Sequence, residues 1–200
     1  MEQFDSKYNI LLASASFRRR ELLTQLGVQY SLVKPSQEEE VVPSDICVED
    51  VSEYLACQKS NAYKDLKDND LLITADTTVI VDNRILGKPK DYSDAFQMLR
   101  LLSGKTHLVV TGVCLRSVDK VVSFSVKTEV TFSNLDDEEI RFYIENYKPF
   151  DKAGAYGIQE WIGMVGISHI EGCYYNVMGL PVASVYEHLQ KLFPCLPEAR

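Results

Sequence analysis

Two serines and three arginines sit together in Ser14-Ala15-Ser16-Phe17-Arg18-Arg19-Arg20, between an apolar run and a segment with helical spacing. Backbone N–H groups at a helix N-terminus, two hydroxyls and guanidinium forks would suit a phosphate. The alternative is that Ser16 only caps the helix and the arginines are solvated, since capping serines are common. Three cations in a first helical turn oppose the helix dipole, however, and a bound anion relieves that conflict.

A second group is Thr74-Ala75-Asp76-Thr77, where a carboxylate emerges from an apolar strand, a place where open α/β sheets put ligands. Asp76 there could hold Mg²⁺ or orient a water; equally, it could be a turn-forming Asp bonded to nearby backbone. Gly87-Lys88-Pro89 presents a lysine in a rigid turn that could return beside Asp76 across a hairpin, although a lone turn lysine is usually surface. A third group is the Gly-containing run from Asp151 to Gln159. Its glycines permit close backbone approach to a planar ligand, and Gln159 offers a donor and an acceptor to an amide-like base edge; an ordinary compact loop is the competing reading. The acidic run Glu38-Glu39-Glu40 suits a solvated loop, one member of which could reach a cation.

These groups need elements to hold them. Asn9 to Ala13 suits a buried strand, and Arg18 to Leu26 places Leu22, Leu23 and Leu26 on one helical face before Gly27 as C-cap. Tyr30 to Val33 returns as a strand, and Val48 to Leu66 has helical spacing. Leu71 to Ala75 reads as a strand ending at Asp76, followed by Thr78 to Val81, a turn at Asp82-Asn83, and Arg84 to Leu86. Asp91 or Ser93 caps a helix that Ser103-Gly104 ends. His107 to Arg116 and Val121 to Phe132 alternate like paired antiparallel strands. Asp136 with Glu139 makes a capping box for a helix to Glu145. Met164 to Ile170 is strand-like, and after the Gly179-Leu180-Pro181 turn a last helix runs through Val185, Leu189 and Leu192. Strands and helices interleave without strict βαβ regularity, which implies a mixed α/β sheet with flanking helices.

Composition narrows the classes. A chain of 200 residues, 46% hydrophobic, without repeats or linkers, reads as one domain over residues 1–200. A net charge of -8 argues against a general nucleic-acid binder, so any anion must be met by local basic groups. Five scattered cysteines without a C-x-x-C pair, and a start from Met1 to Tyr8 carrying Glu2, Asp5 and Lys7, predict reduced thiols in a soluble cytoplasmic protein with no membrane partner. P-loop, zincin and serine-hydrolase motifs are missing from the sequence, and His107, His169 and His188 lie far apart.

Several segments, in consistent order over roughly residues 10 to 190, resemble the Maf family of nucleotide pyrophosphatases: LLASASFRRRELLTQLGVQY, ADTTVIVDNRILGKP with SGKTHLVVTGV, and PFDKAGAYGIQ with GLP. The resemblance implies a Maf/ITPase-like fold, with a mixed, partly antiparallel twisted sheet and two lobes around a deep cleft. It also implies a divalent cofactor, Mg²⁺ or Mn²⁺, cleavage between the α and β phosphates of a nucleoside triphosphate, and a homodimer. Position by position, it assigns the phosphate-handling cations to Arg18 or Arg19, Lys59 and Lys88. The acidic, metal-holding pair falls on Glu39 and Asp76, with a possible one-residue shift in the Glu38–Glu40 run, and Ser14 belongs to the first motif. Phe17 departs from the Pro that the family usually has there, which should loosen the turn without removing a ligand group. Arg18, Thr77 and Gln159 match the branch that hydrolyses dTTP and UTP, whereas the 7-methyl-GTP branch tends to Trp, Gln and Glu. Gln159 would pair with the O4/N3–H edge of uracil or thymine. Two other classes stay open: a nucleotide-binding regulator without turnover, and a nucleic-acid binder using Arg18–Arg20.

Overall fold

The computed structural model describes residues 8–35 and 38–192. Cys195, the Glu2, Asp5 and Lys7 of the N-terminal reading, and the Leu192 side chain lie outside what is described. The strands are β1 (Asn9–Ala13), β2 (Ser31–Val33), β3 (Asp70–Val81), β4 (Arg84–Leu86), β5 (Thr106–Arg116), β6 (Val121–Phe132) and β7 (Ile167–Glu171). The helices are α1 (Phe17–Gln25), α2 (Val51–Asn61), α3 (Tyr92–Leu102), α4 (Asp137–Tyr147), α5 (Trp161–Gly166), α6 (Tyr174–Met178) and α7 (Val182–Leu192). The seven strands form one open sheet in the order β2-β1-β3-β5-β6-β7, with β4 paired to β3. β1 is parallel to β2 and β3, while β3–β4 and β6–β7 are antiparallel, so the sheet is mixed as expected.

The described residues form two compact units, each visited more than once: 8–35, 38–76, 111–126 and 179–192 make the first, and 77–110 with 127–178 make the second. In the first, the apolar stripe of α1 (Leu22, Leu23), α2 (Val51, Leu55, Ala56) and α7 (Val185, Leu189) is buried with Ile10, Leu12, Leu71, Leu72 and Ile73 of β1 and β3. α2 lies so close to β5 that a Cβ on Gly112 would fall 2.2 Å from the Glu53 backbone nitrogen. Only glycine fits there.

In the second unit, one core joins Val79 and Val81 to Leu99 and Leu102 of α3, Ile140 and Tyr143 of α4, Phe132, Tyr156 and Ile162. The β3–β4 turn has positive φ at both Asp82 and Asn83, the geometry of a two-residue hairpin matched to strand twist. Asp91 caps α3 by accepting from Asp94 N–H at 2.9 Å, and Asp136 and Glu139 form the reciprocal box on α4. Burial lowers His107 to about 4, and its Nε2 lies 2.7 Å from the Tyr156 hydroxyl, so it is a neutral core residue.

Three elements differ from the sequence expectation. β3 does not stop at Asp76 but runs unbroken to Val81; the β-branched residues Thr74, Thr77, Thr78 and Val79 favour extension on either side of the acid. α2 is shorter than Val48 to Leu66, ending at Asn61. Met164–Gly166 belongs to the short helix α5, with only Ile167 onward in a strand: Gly163 packs on Ile158, where a Cβ would meet the carbonyl oxygen at 1.8 Å, and this contact holds the turn.

Candidate functional site

The loop after β1 and the first turn of α1 are built by the two serines. Ser14 Oγ accepts from Ser16 N–H at 3.1 Å, and Ser16, the N-cap, accepts from Arg19 N–H at 3.4 Å. Capping is therefore real, but Arg19 is no solvated surface residue. Its Nη1 donates to Ala75 O and its Nε to Gly179 O, both at 2.8 Å, which ties the helix start to β3 and to the turn before α7. Burial pulls its guanidinium down from the usual very high value, while the Asp76 carboxylate pushes back and Arg18 adds to the decrease. Phe17 begins α1 on the outside, with the Arg20 guanidinium 5.6 Å from its ring centre, so the position usually held by Pro is filled without displacing the cap.

Asp76 stands in the middle of β3, half-buried, with its Oδ1 hydrogen-bonded to Lys59 Nζ from α2. Lys59 also reaches Glu40 Oε1 at 3.1 Å. The structure thus assembles, within the first unit, one ammonium between two carboxylates, with Arg19 close enough to feel both acids. The member of the acidic run that arrives is Glu40, while Glu39 is exposed one residue earlier. Lys59 was not recognisable from its spacing alone: one lysine on a helix face carries no signal until the strand opposite is known.

Thr77, Lys88 and Gln159 belong to the second unit. The β3–β4 register pairs Val79 with Leu86, so Lys88 lies two residues past the last pair and Thr77 two residues before it. Lys88 is exposed. Gly154 N–H donates to Gly87 O at 3.0 Å, binding the Lys88 turn to the loop that carries Gln159. Gly154 adopts a positive φ with Val79 directly below it, where a Cβ would fall 3.0 Å from a methyl carbon. Gln159 Oε1 is buried and has no hydrogen-bond partner among the described residues.

Beneath that loop is a network that residue patterns did not expose. Lys152 is buried and pairs with Asp151 at 2.8 Å and Glu160 at 3.1 Å; the Tyr143 hydroxyl donates to Glu160 and accepts from Gly157 N–H at 3.0 Å. Burial and the Glu160 carboxylate push the Tyr143 phenol well up, so it stays a donor. These groups fix both sides of Gln159.

A divalent cation can be tested against these donors. Among the described residues no cluster of three or more His, Cys, Asp or Glu side chains is placed to cage a metal. Asp76 and Glu40 offer hard carboxylate oxygens on a shared cation, the donor type and number with which Mg²⁺ is held by proteins that leave its other positions to phosphates and water. The residues fit such an ion.

An open mixed α/β sheet with acids and cations gathered at a central strand is an arrangement suited to a charged small ligand. The chain belongs to the Maf family: the family model described as Maf-like protein matches residues 9–192. It is similar to the dTTP/UTP pyrophosphatase of Phocaeicola vulgatus, 53% identical over 187 residues, covering 93% of this chain and 97% of that protein. The dTTP/UTP pyrophosphatase of Bacteroides thetaiotaomicron is 47% identical over 187 residues, with 93% and 97% covered. That of Porphyromonas gingivalis is 50% identical over 187 residues, with 92% and 94% covered.

Proposed function

We propose that this protein hydrolyses dTTP and UTP to the nucleoside monophosphate and pyrophosphate. The observation that carries the reading is the Lys59 ammonium held between Asp76 and Glu40 with Arg19 alongside, in a chain half-identical over nearly its whole length to proteins named for that reaction. Asp76 and Glu40 would hold Mg²⁺ or Mn²⁺, with Glu39 one residue from the same role. When bound, the ion supplies neutralisation of the triphosphate charge. Lys59 has two carboxylate partners here, and a substrate phosphate gives it a third, so it turns to the phosphate as the acids take up their other work. Asp76 orients the attacking water and accepts its proton. Arg18 and Lys88 neutralise phosphate oxygens, and Arg19 keeps the backbone at Ala75 fixed beside Asp76. Chemistry of this kind needs positioning and charge compensation more than covalent catalysis.

Base choice falls to Gln159, whose unpartnered Oε1 accepts from N3–H while Nε2 donates to O4, and Thr77 lies next to the acid. We place the protein in the cytoplasm, acting on free nucleotides and not on nucleic acid, as a homodimer. No helix among the described residues is long and apolar enough to cross a membrane. The test is a pyrophosphate-release screen over common and modified nucleoside triphosphates with Mg²⁺ or Mn²⁺. Release from UTP and dTTP ahead of purine nucleotides is expected; binding without release would leave a regulator instead.

A further inference from the structure

The seam between α2 and β5 brings two thiols together. At Gly112 the two elements are in tight contact, the Glu53 backbone lying where a Cβ would stand. Cys114 lies two residues beyond Gly112 and Cys57 four beyond Glu53, so strand alternation and the helical period direct both side chains into that seam. Thr74 Oγ1 donates to Ala56 O at 2.7 Å and reaches Cys114 O at 3.5 Å, pinning the two backbones beside the cysteines. The two thiols are near enough for each to shift the other's titration. Cys57 is half-buried and reachable from solvent, whereas Cys114 is buried.

The environments of the two sulfurs are unequal. Interaction with Cys114 brings the Cys57 thiol down to about 7, against its partial burial and the nearby Glu53 carboxylate, with the Ser123 hydroxyl helping. The Cys114 thiol is pushed up by the same interaction and by burial. An accessible, thiolate-forming sulfur beside a protonated resolving partner is the arrangement found in peroxide-responsive cysteines.

We propose that Cys57 and Cys114 form a redox modification site, at which a hydroperoxide drives an internal disulfide that draws Lys59, two residues along α2, away from Asp76. The Cys57 thiolate attacks the peroxide oxygen; the O–O bond breaks, leaving a sulfenic acid and one water (or alcohol). Cys114 sulfur then attacks Cys57 sulfur, and the sulfenic hydroxyl leaves with the Cys114 proton as a second water. Two thiols are oxidised and one peroxide is reduced. Closing the sulfurs to about 2 Å shifts the helix on the order of 1 Å. A displacement of that size at a positioned catalytic group costs about 10²-fold in rate.

The switch rests on the proposed hydrolysis, but the disulfide does not. Reduced full-length protein is treated with stoichiometric hydrogen peroxide, and its intact mass, peptide map and rate of Lys59 acylation are measured. The expected result is loss of two hydrogens, a Cys57–Cys114 cross-linked peptide and faster acylation of Lys59, all reversed by dithiothreitol and missing in Cys57→Ser and Cys114→Ser. UTP turnover falls about 10²-fold in the bridged protein and is unaffected by peroxide in both variants. A map without that cross-link, or one bridging Cys47, Cys173 or Cys195 instead, overturns the site. A bridged protein with unchanged Lys59 acylation and unchanged turnover overturns the switch. A chain inactive on UTP even when reduced removes the proposed function, and mass and acylation still decide the redox site.

Discussion

Each unit holds a lysine between two carboxylates, and the two triads have opposite characters. Lys59 is 25% exposed in its side chain, with partners Asp76 at 16% and Glu40 at 50%, and the Arg19 charge acts on both acids. Lys152 is only 8% exposed, and its inner partner Glu160, at 18%, is held again by Tyr143. A cation that bridges two acids in a half-open place can exchange partners when a more strongly charged ligand arrives. A buried one, with its counter-charge hydrogen-bonded from a second side, cannot leave without stranding a charge in a low dielectric. The same three residue types thus make a half-open, exchangeable cluster in one unit and a buried rivet in the other.

The sharpest way to break this comparison is Asp76→Asn. Pyrophosphate release from UTP should fall about 10³-fold while the melting temperature stays close to wild type; an unimpaired rate would take Asp76 out of the chemistry. Lys152→Met should do the reverse, costing about 3 kcal/mol of unfolding free energy in a urea titration because Glu160 is left buried without a counter-charge. Equal stability of Lys152→Met and Lys59→Met would erase the distinction between the triads. Gln159→Glu sits on the rivet without being part of it. It should shift the ratio of UTP to GTP turnover about tenfold toward GTP through the altered base edge, and an unmoved nucleotide profile would remove the edge-pairing argument. The smallest effect belongs to Asp136→Ala, which loses the α4 cap for about 1 kcal/mol without touching nucleotide choice. A change in that choice would mean that α4 and the Gln159 loop are coupled more tightly than the Tyr143 link implies.

What could be read from residues alone were the features decided within a few positions. The Ser16 cap, the Asp91 cap, the Asp136–Glu139 box and the Asp82-Asn83 turn all satisfy backbone groups locally, and all occur where expected. The continuity of β3 through Asp76 could not be read this way, because a carboxylate in mid-strand is tolerable only once Lys59, seventeen positions away, neutralises it. The same reason hid the Lys152–Glu160–Tyr143 network and the arrival of Glu40 at Lys59: side chains distant along the chain meet only after the sheet has formed. Family resemblance assigned Asp76, Lys59 and Lys88 to one site, where local pattern had separated a turn acid, a surface lysine and another surface lysine; of these, Lys59 and Asp76 are in contact. It placed the second acid at Glu39, and the contact with Lys59 is made by its neighbour Glu40.

The missing side chain at Gly112 sets how near α2 can come to the sheet. A single methyl group there would act as a wedge against the Glu53 backbone, lifting the helix and carrying Lys59 with it, so an alanine that touches neither Lys59 nor Asp76 should uncouple the two as surely as deleting either one. The calibration of this charge cluster is therefore held by a hydrogen atom.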